Sequence, residues 1–377
     1  AVGLTPGRVD RAGAAMTEGV VTLSPPVPPM LAKAVGDAVP GQDSVPGGLS
    51  YEPKWDGFRC LIFRLPDQIV LQSRSEEDLT YCFPEMATAA EQLAPGTVID
   101  GELIIVTDRH LNFDALSSRL RPRKESGGSN IAALAERFPT QFVAFDVLAT
   151  AGGSLLSASF AERRRVLEAL APGLPDSMHI TPATTDEGVA QRWFHTFEGA
   201  GLDGLVAKPL TGTYRPGKRD LLKVKHRRTT DAVVAGWRAH TNPGPDGQDV
   251  VGSLLLGLYD DDGRLHQVGS ASGFTAARRL ELLSELPGAP SPAHPWAQPV
   301  EGVRGPGGPS RWRKRGNEGL HLIEPERVLE VAYDAMEGDR FRHVTRFVRW
   351  RPDRRPESCR FDQLERPTPV DIDSLLQ

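Results

Sequence analysis

The chain has 377 residues, which is more than a single hydrophobic core usually supports, so we expect two domains. Hydrophobic residues make up 39% of it and charged residues 25%, and no apolar run is long enough to cross a membrane. The three cysteines form no CxxC pair, which excludes a closed disulfide framework and disfavours a structural metal site, so we expect a cytoplasmic protein.

The first part of the chain mixes strand and helix patterns without regular alternation, which predicts an α+β domain. Small and polar residues precede it and are expected to form a disordered tail. Ser159 and Glu162 give a capping-box pattern at the start of one helix. The predicted strands start at residue 49 and lie at 58–63, 97–106 with an interruption at 100–102, 142–148, 204–209 and 221–225, with a turn at 56–57. The predicted helices are one that starts at 84 and ends before 95–96, one that starts at the 159–162 capping box and has residues 160, 166, 167 and 170 on its apolar face, and one at about 187–197.

The pattern changes after Arg228, where short strands follow one another with a single helix among them. This combination is typical of a small β-barrel such as an OB-fold. The predicted elements are strands at 232–237, 253–259, 265–269, 328–333 and 347–351, a hairpin turn at 260–263, a helix at 275–286 and a loop at 287–309. The predicted domains are a disordered tail at 1–24, a first domain at 25–229 and an OB-fold domain at 230–377.

Basic residues are concentrated in two stretches, although the formal net charge of the chain is -5. Residues 208–228 contain eight Lys or Arg and one acidic residue. Residues 304–360 contain fourteen Lys or Arg and nine acidic residues. Local basic stripes on an acidic chain indicate a polyanionic partner that touches part of the surface. The alternative is a solvated face with ordinary ion pairs.

The segment at residues 52–59, with the sequence EPKWDGFR, contains a lysine with the surroundings of a nucleophile. In an extended segment, Glu52, Lys54 and Asp56 point the same way. A lysine attacks only as the neutral amine, so burial or nearby cations must lower its pKa from about 10.4. The turn after Lys54 would bring Arg59 toward the same space, where it could bind a phosphate bidentately. By itself, the string fits a surface lysine in a turn better than it fits a nucleophile.

Two further segments carry groups suited to a nucleotide. Asp100 and Glu102 lie on one strand face, with Gly101 between them to permit close approach of a ligand. Phe145 ends a strand and could stack on a base, the alternative being packing in the core. Each segment is short, so it indicates a nucleotide site only in combination with the other segments.

Two later segments suit a metal ion and phosphates. Asp203 is a carboxylate suited to Mg²⁺, and Lys208 is suited to phosphate. Lys223 and Lys225 share a strand face, which is unfavourable unless an anion lies between them. The alternative for this pair is a solvated sheet edge protected by lysines.

These segments, in this order, resemble the motifs of the covalent nucleotidyltransferase family, which comprises ATP-dependent DNA ligases, RNA ligases and mRNA capping enzymes. The resemblance covers about residues 25–360 and is strongest to minimal bacterial end-joining ligases of the ligase C type and the ligase D ligase-domain type. It implies a nucleotidyltransferase domain built on antiparallel sheets, followed by an OB-fold barrel. The matching segments are 54–57, 73–75, 100–103, 145–146, 203–208, 222–225 and 349–354.

Two positions depart from the family pattern. Asp203 stands where the family usually has Glu, which is one methylene longer. Arg354 stands where the family usually has Lys, which keeps the charge but changes the geometry.

The resemblance implies that Lys54 attacks the α-phosphate of ATP, that AMP then passes to the 5′-phosphate of a nick, and that the 3′-hydroxyl displaces it. Catalysis would consist of positioning and charge neutralisation. By the resemblance, the residues that bind ATP or AMP are Glu52, Trp55, Arg59, Arg74, Glu102, Phe145, Lys208, Lys223, Lys225, Arg351 and Arg354, the metal is held by Glu102 and Asp203, and Asp56 and Asp353 support them.

The expected cofactors are ATP and a divalent metal, Mg²⁺ or Mn²⁺, and the expected partner is nicked double-stranded DNA, with DNA-repair proteins as further partners. We expect a monomer in the bacterial cytoplasm, associated with the nucleoid, that acts in end joining or excision repair. A flexible hinge is predicted near Arg227–Asp231, with Thr229–Asp231 as its natural place between the last lysine strand and the first barrel strand. Two alternatives stay open: an RNA ligase or capping enzyme with the same Lys54 chemistry, and a non-catalytic scaffold that binds DNA ends.

Overall fold

The computed structural model divides into two compact units. The first contains residues 1–225 and 367–377, and the second contains residues 226–366. In the part of the chain that the structure describes, no helix is long and apolar enough to span a lipid bilayer. The described residues are 14–17, 20–120, 128–202, 204–286, 288, 292, 294–306, 319–334, 336–365 and 370–376.

The first unit consists of β-sheets with helices packed on them. Its strands are β1 Ala14–Thr17, β2 Val20–Leu23, β3 Ala32–Ala34, β4 Leu49–Pro53, β5 Phe58–Arg64, β6 Ile69–Ser73, β7 Thr97–Ile104, β8 Val106–Thr107, β9 His110–Leu111, β10 Gln141–Thr150, β11 Gly153–Ser154, β12 Met178–Ile180, β13 Leu205–Pro209 and β14 Leu221–Val224. Its helices are α1 Pro84–Ala90, α2 Phe113–Arg119, α3 Gly128–Arg137, α4 Phe160–Leu170 and α5 Glu187–Thr196, with short 3-10 turns at Gln42–Ser44, Ala171–Gly173, Phe197–Ala200 and Ile372–Leu375.

Two sheets organise this unit. One has the strand order β11-β10-β7-β5-β6, with β12 paired to β10, and the other has the order β3-β14-β13-β4. Apart from the parallel pairs β10·β12 and β14·β3, neighbouring strands in both sheets run antiparallel. Helices α1, α2 and α4 contribute side chains to the core on the first sheet, and α5 packs on the second. The α+β prediction is confirmed.

Helix α4 begins as the sequence predicts. The Ser159 hydroxyl accepts from the Glu162 amide, and the Glu162 carboxylate accepts from the Ser159 amide. This reciprocal capping satisfies amides that a helix start leaves without partners. The buried side chains of α4 are Phe160, Arg163 and Leu167, spaced along one helical face. The helix therefore directs arginines as well as apolar groups toward the sheet.

The predicted interruption of β7 is wrong. The strand runs without a break from Thr97 to Ile104, and Gly101 pairs with both Cys60 and Ala144. A Cβ on Gly101 would lie 2.3 Å from the Phe142 ring and 2.5 Å from the Val143 carbonyl oxygen. The glycine thus admits neighbouring protein groups, and the prediction that it admits a ligand is also wrong.

The second unit is a closed five-stranded barrel with the strand order β15-β16-β17-β21-β18. Its interior is apolar, and a helix lies between its third and fourth strands in the chain. This arrangement is the predicted OB-fold. The elements are β15 Arg228–Ala239, β16 Val251–Tyr259, β17 Leu265–Ser272, α6 Ala276–Glu285, β18 Leu320–Tyr333, β19 Met336–Glu337, β20 Arg340–Phe341 and β21 Thr345–Trp350, with 3-10 turns at Pro356–Ser358 and Phe361–Gln363.

The predicted hinge falls inside this barrel. Thr229–Asp231 lie in β15 and pair with residues 330–332 of β18. Residues in a paired ladder have fixed backbone dihedrals, so this placement of the hinge is wrong. The residues between β14 and β15 are 225–227, which precede the barrel strand.

The ends of the chain also differ from the predicted domain pattern. Residues 14–17 and 20–23 pair as antiparallel strands within the predicted tail, whose remaining residues up to 19 lie outside the described residues. The C-terminal residues 370–376 belong to the first unit, although the sequence placed them in the barrel domain. Ile372 is fully buried in a cluster with Trp55, and burial of apolar surface favours this return.

Candidate active site

A cavity of about 390 Å³ opens in the first unit between strands of its two sheets. The second sheet contributes residues of β4, β13 and β14, and the first contributes residues of β5, β6, β7 and β10. Segments that are far apart in the sequence therefore meet in one place. The sequence-predicted residues that line the cavity are Glu52, Lys54, Trp55, Arg59, Arg74, Glu102, Phe145, Lys208 and Lys223.

Lys54 lies directly after β4, at the start of the turn that leads into β5. Its amide donates to the Gly204 carbonyl at 2.9 Å, which ties it to the strand pair β4·β13. A Cβ on Gly57 would lie 2.1 Å from the Leu103 carbonyl oxygen, so only glycine permits the turn to pass so close to β7. The backbone on both sides of Lys54 is thus fixed.

Trp55 anchors the same turn. It is only 4% exposed, packs beside Ile104 and Val143, and donates from Nε1 to the Thr181 hydroxyl at 2.8 Å. A buried indole needs such a partner for its N–H. Trp55 also borders the cavity, but its Nε1 atom donates to Thr181. These contacts indicate that Trp55 supports the Lys54 turn.

Glu52 and Lys208 form a buried ion pair with Oε2 and Nζ 2.7 Å apart, each side chain being 2% exposed. Burial, more than any other cause, raises the pKa of Glu52 and lowers the pKa of Lys208. The Lys208 ammonium also donates to the Phe145 carbonyl at 2.7 Å and lies 4.6 Å from the Phe145 ring centroid. Lys208 therefore joins Glu52 to Phe145, whereas the sequence assigned Lys208 to phosphate.

Arg59 makes a bidentate ion pair with Asp100, with both donor–acceptor distances at 2.5 Å. Asp100 also accepts from the Tyr214 hydroxyl at 2.7 Å, and that hydroxyl accepts from the Met30 amide. Burial alone would lower the pKa of Arg59, but Asp100 outweighs it and raises the value. The guanidinium lies 4.5 Å from the centroid of the Phe145 ring. Arg59 is thus held at the cavity wall by a carboxylate.

Phe145 reaches the cavity because of an irregularity in its strand. The pairing of β10 with β7 shifts register between Ala144 and Asp146, which leaves Phe145 unpaired at a bulge. A bulge changes the direction in which its side chain points. The next residue, Asp146, is buried against Arg163, with contacts of 2.8 and 3.0 Å. The ring faces the cavity while its neighbour is fixed in the core.

Glu102 is the carboxylate best placed to hold a cation. Burial raises its pKa to about 7, although the nearby charges of Arg59 and Lys54 act in the opposite direction. No group of three or more His, Cys, Asp or Glu that could hold a metal occurs among the described residues. One carboxylate fits a divalent ion that takes its other ligands from water and substrate phosphates. Asp203 lies outside the described residues.

Several cations lie close to Lys223. The pKa of Lys223 is lowered, first by burial and then by the charges of Lys225, Lys54, Arg74 and Arg219. Mutual repulsion of this kind is relieved by an anion. Lys223 and Arg74 line the cavity, and Lys225 follows the end of β14 without lining it.

The last predicted motif lies on the second unit. Arg351 donates to both oxygens of Asp231 at 3.0 and 3.1 Å and to Asp353 at 2.7 Å. Arg354 lies 3.2 Å from Asp231. Hydrogen bonds from Arg351 hold the pKa of Asp353 at about 2, below its usual range. Both arginines are thus engaged by acids of their own barrel.

Sequence reasoning missed several residues that support the cavity. Tyr214 holds Asp100, Arg163 holds Asp146, and Arg164 reaches both Glu52 and Thr181. Asp231 was named only as a hinge residue, yet it binds Arg351. The sequence carries no signal for these pairs, because the partners are far apart along the chain.

Comparison with known proteins places this arrangement among related chains. The family model described as ATP dependent DNA ligase domain matches residues 29–225, and the one described as ATP dependent DNA ligase C terminal region matches residues 247–354. DNA ligase C2 of Mycolicibacterium smegmatis is 48% identical over 352 residues, covering 91% of this chain and 95% of the relative. DNA ligase C of Mycobacterium tuberculosis is 47% identical over 363 residues, covering 93% and 97%. A solved structure described as "DNA binding with a minimal scaffold: Structure-function analysis of Lig E DNA ligases" shares the fold, with 17% identity, a TM-score of 0.50, and coverage of 84% of this chain and 99% of that chain.

Proposed function

The chain belongs to the family of ATP-dependent DNA ligases. From this membership we propose that it uses ATP, bound in the cavity beside Lys54, to activate the 5′-phosphate of a DNA nick. One observation carries the assignment of residues: Lys54, Glu102, Phe145 and Lys223 line a single cavity of about 390 Å³. A nucleophile, a carboxylate, an aromatic ring and a cation are the groups that nucleotidyl transfer needs.

Phe145 and Glu52 would bind the base. The Phe145 ring offers a stacking surface, and the buried Oε1 atom of Glu52 has no hydrogen-bond partner among the described residues. A buried acceptor without a partner is unfavourable, so a donor from the adenine amino group would satisfy it. Lys208 stabilises this end of the cavity because it holds both residues.

Lys54 would attack as the neutral amine. A bond forms between its Nζ atom and the α-phosphorus of ATP, the bond from that phosphorus to the bridging oxygen breaks, pyrophosphate leaves, and the Nζ proton passes to solvent. Lys223, Arg74 and Lys225 would stabilise the phosphate charge, which is the main contribution a protein makes to phosphoryl transfer. Glu102 would hold a divalent metal, Mg²⁺ or Mn²⁺, that neutralises phosphate charge when bound.

The second and third steps act on DNA. The 5′-phosphate oxygen of a nick attacks the phosphorus of the lysine-bound AMP, which releases Lys54. The 3′-hydroxyl then attacks the activated 5′-phosphate, and AMP leaves. Nicked double-stranded DNA is the proposed substrate, and the exposed basic residues Arg215, Lys218, Arg219 and Arg227 support contact with its phosphates.

Labelling with ATP that carries a radioactive α-phosphate tests the first step. The wild-type protein should retain label after denaturation, whereas Lys54→Ala should retain none, because no other amine occupies that position. Lys33→Ala is the matched control, since Lys33 is exposed on β3 and does not line the cavity. Full labelling of Lys54→Ala would refute the assignment.

Sealing assays test the substrate. Nicked DNA, nicked RNA and hybrid duplexes are compared with the wild-type protein, and DNA should be sealed fastest. Lys54→Ala should still seal a nick that already carries AMP, because the covalent role of the lysine is then complete. Preference for nicked RNA would contradict the proposed substrate.

A further inference from the structure

Arg164 lies on α4, near Thr181 and Glu52. Its Nη2 atom donates to the Thr181 carbonyl at 2.9 Å, and the Thr181 hydroxyl accepts from Trp55. Its Nη1 atom lies 3.7 Å from Oε1 of Glu52. Its Nε atom is fixed by Glu168 at 2.7 Å. The guanidinium is therefore held in place beside the residue two positions before Lys54.

The two oxygens of Glu52 have different surroundings. Oε2 is bound by Lys208, whereas Oε1 is buried without a hydrogen-bond partner among the described residues and has Arg164 as its nearby cation. Glu52 lines the cavity. Because Lys208 already binds Oε2, Oε1 is the Glu52 oxygen whose hydrogen-bonding capacity is unused.

The protonation state of Oε1 decides which base it can bind. An ionised carboxylate oxygen only accepts hydrogen bonds, whereas a protonated one donates. The amino group at C6 of adenine donates, and an oxo group at the same position accepts. An ionised Glu52 thus favours a 6-amino purine, and a protonated Glu52 favours a 6-oxo purine. The nearest charges therefore bear on nucleotide selectivity.

We propose that Arg164 is a specificity-determining positioning residue, which keeps the Glu52 carboxylate ionised and so makes the cavity select ATP over 6-oxo purine nucleotides. This inference rests on the proposed function, because it assumes that Glu52 meets the base. Arg164 does not touch the reacting atoms and acts through Glu52.

The balance of charges around Glu52 supports this role. Burial raises the pKa of Glu52, Lys208 on β13 and Arg164 on α4 lower it, and Asp146 on β10 raises it. Lys208 has two further attachments, to the carbonyl and ring of Phe145. Without Arg164, a single cation would oppose both burial and Asp146. The Glu52 proton would then be retained to higher pH.

The test measures how fast Lys54 is labelled by ATP and by inosine triphosphate, which carries an oxo group at C6. Wild-type protein should prefer ATP, and this preference should weaken as the pH falls and Glu52 takes up a proton. In Arg164→Gln, the ratio of the two rates should fall by about tenfold or more near neutral pH, since a mismatched buried polar group costs about this much. The ratio should recover at higher pH.

Three variants separate selectivity from damage to the fold. Arg164→Lys keeps the charge and should retain the ratio. Arg165→Gln is the matched control, because Arg165 is the next residue on α4 and is exposed. In Glu168→Gln the charge of Arg164 remains near Glu52 and the Gln amide oxygen can still accept from the Arg164 Nε atom, so the ratio should also be retained. A misfolded fraction lowers both rates equally and leaves their ratio unchanged.

The outcomes are distinct. Equal loss of labelling by both nucleotides in Arg164→Gln would overturn the inference and make Arg164 a structural residue. A wild-type protein without preference for ATP would overturn it as well. A wild-type protein that takes no label from either nucleotide would instead refute the proposed function.

Discussion

Two arginines that the sequence assigned to the binding of ATP, Arg59 and Arg351, have contrasting partners. Their side chains are similarly exposed, at 17% and 19%, but the acids they bind are not. Asp100, the partner of Arg59, is completely buried, whereas Asp353, one partner of Arg351, is 61% exposed. The other partner of Arg351, Asp231, is also bound by Arg354. Removal of Arg59 would leave the buried Asp100 carboxylate with only the neutral hydrogen bond from Tyr214. Removal of Arg351 would leave Asp231 bound by Arg354 and Asp353 exposed to solvent.

The contrast indicates different roles for the charged residues of the cavity and those of the barrel motif. In the cavity, buried acids fix the cations before any nucleotide arrives, and such preorganisation favours charge stabilisation in a transition state. On the barrel, Arg351 is shared between the exposed Asp353 and Asp231, and Asp231 keeps Arg354 as a second cation, so Arg351 can leave these acids for a phosphate at smaller cost. Substitution of Arg59 should therefore change stability and activity together, and substitution of Arg351 should change activity with much less effect on stability.

The largest expected effect is on Arg59. Arg59→Ala should lower the unfolding free energy of the first unit by about 3–5 kcal/mol, because it leaves Asp100 buried without its cation. Hydrogen exchange of the β5 and β7 amides measures this unit separately from the barrel. Arg351→Ala serves as the comparison and should change exchange in the barrel strands far less. Similar losses of protection in both variants would remove the contrast.

The contributions of Glu102 and Asp353 to folding stability should change with pH in opposite directions. The pKa of Glu102 is raised from 4.5 to about 7, so the folded state holds its proton more tightly and loses stability as the pH rises through that window. In metal-free buffer, Glu102→Gln should therefore stabilise the first unit by up to about 3 kcal/mol above pH 7 and have little effect below about pH 4. Nick sealing should be lost. A stability gain that is independent of pH would contradict this assignment.

The barrel carboxylate provides the opposite case. The pKa of Asp353 is lowered from 3.8 to about 2, so its contribution is present above pH 4 and is lost as the pH falls through about 2. Asp353→Asn should accordingly differ from wild type in barrel stability at neutral pH and converge with it in strong acid. Chemical denaturation at several pH values, followed through the barrel, would measure both ends of this window.

Phe145 should affect nucleotide use more than stability. Phe145→Ala should weaken ATP use by roughly 1–3 kcal/mol, the value of one stacking contact, and Phe145→Tyr should be tolerated because the stack needs a ring. Titration of Lys54 labelling with ATP measures the difference. Equal behaviour of the Ala and Tyr variants would make Phe145 a packing residue of the core.

The smallest expected change in stability belongs to Arg351, where the effect should depend on the step. Arg351→Ala should slow the loading of Lys54 far more than the sealing of a nick that already carries AMP, because pyrophosphate leaves only in the first step. Single-turnover rates of the two steps are compared in the same preparation. Equal slowing of both steps would mean that Arg351 does not act on pyrophosphate.

Much of the architecture was predictable from local sequence. The Ser159 capping box, the lysine turn with its obligatory Gly57, and the strand and helix patterns of the barrel all depend on residues close in the chain. Local propensity and periodicity encode such features directly. The order of the short motifs was sufficient to predict the family, which the comparisons support.

The partners of the charged residues were decided only by the tertiary structure. Glu52 with Lys208, Arg59 with Asp100, and Arg164 beside Glu52 join segments whose separation in the chain gives no periodic signal. The return of Ile372 to the first unit is of the same kind. A charged side chain takes its properties from burial and from the nearest opposite charge, and both exist only after the sheets have packed. The sequence by itself therefore determined which charged and reactive side chains are present, and the packed fold determined which of them pair with one another.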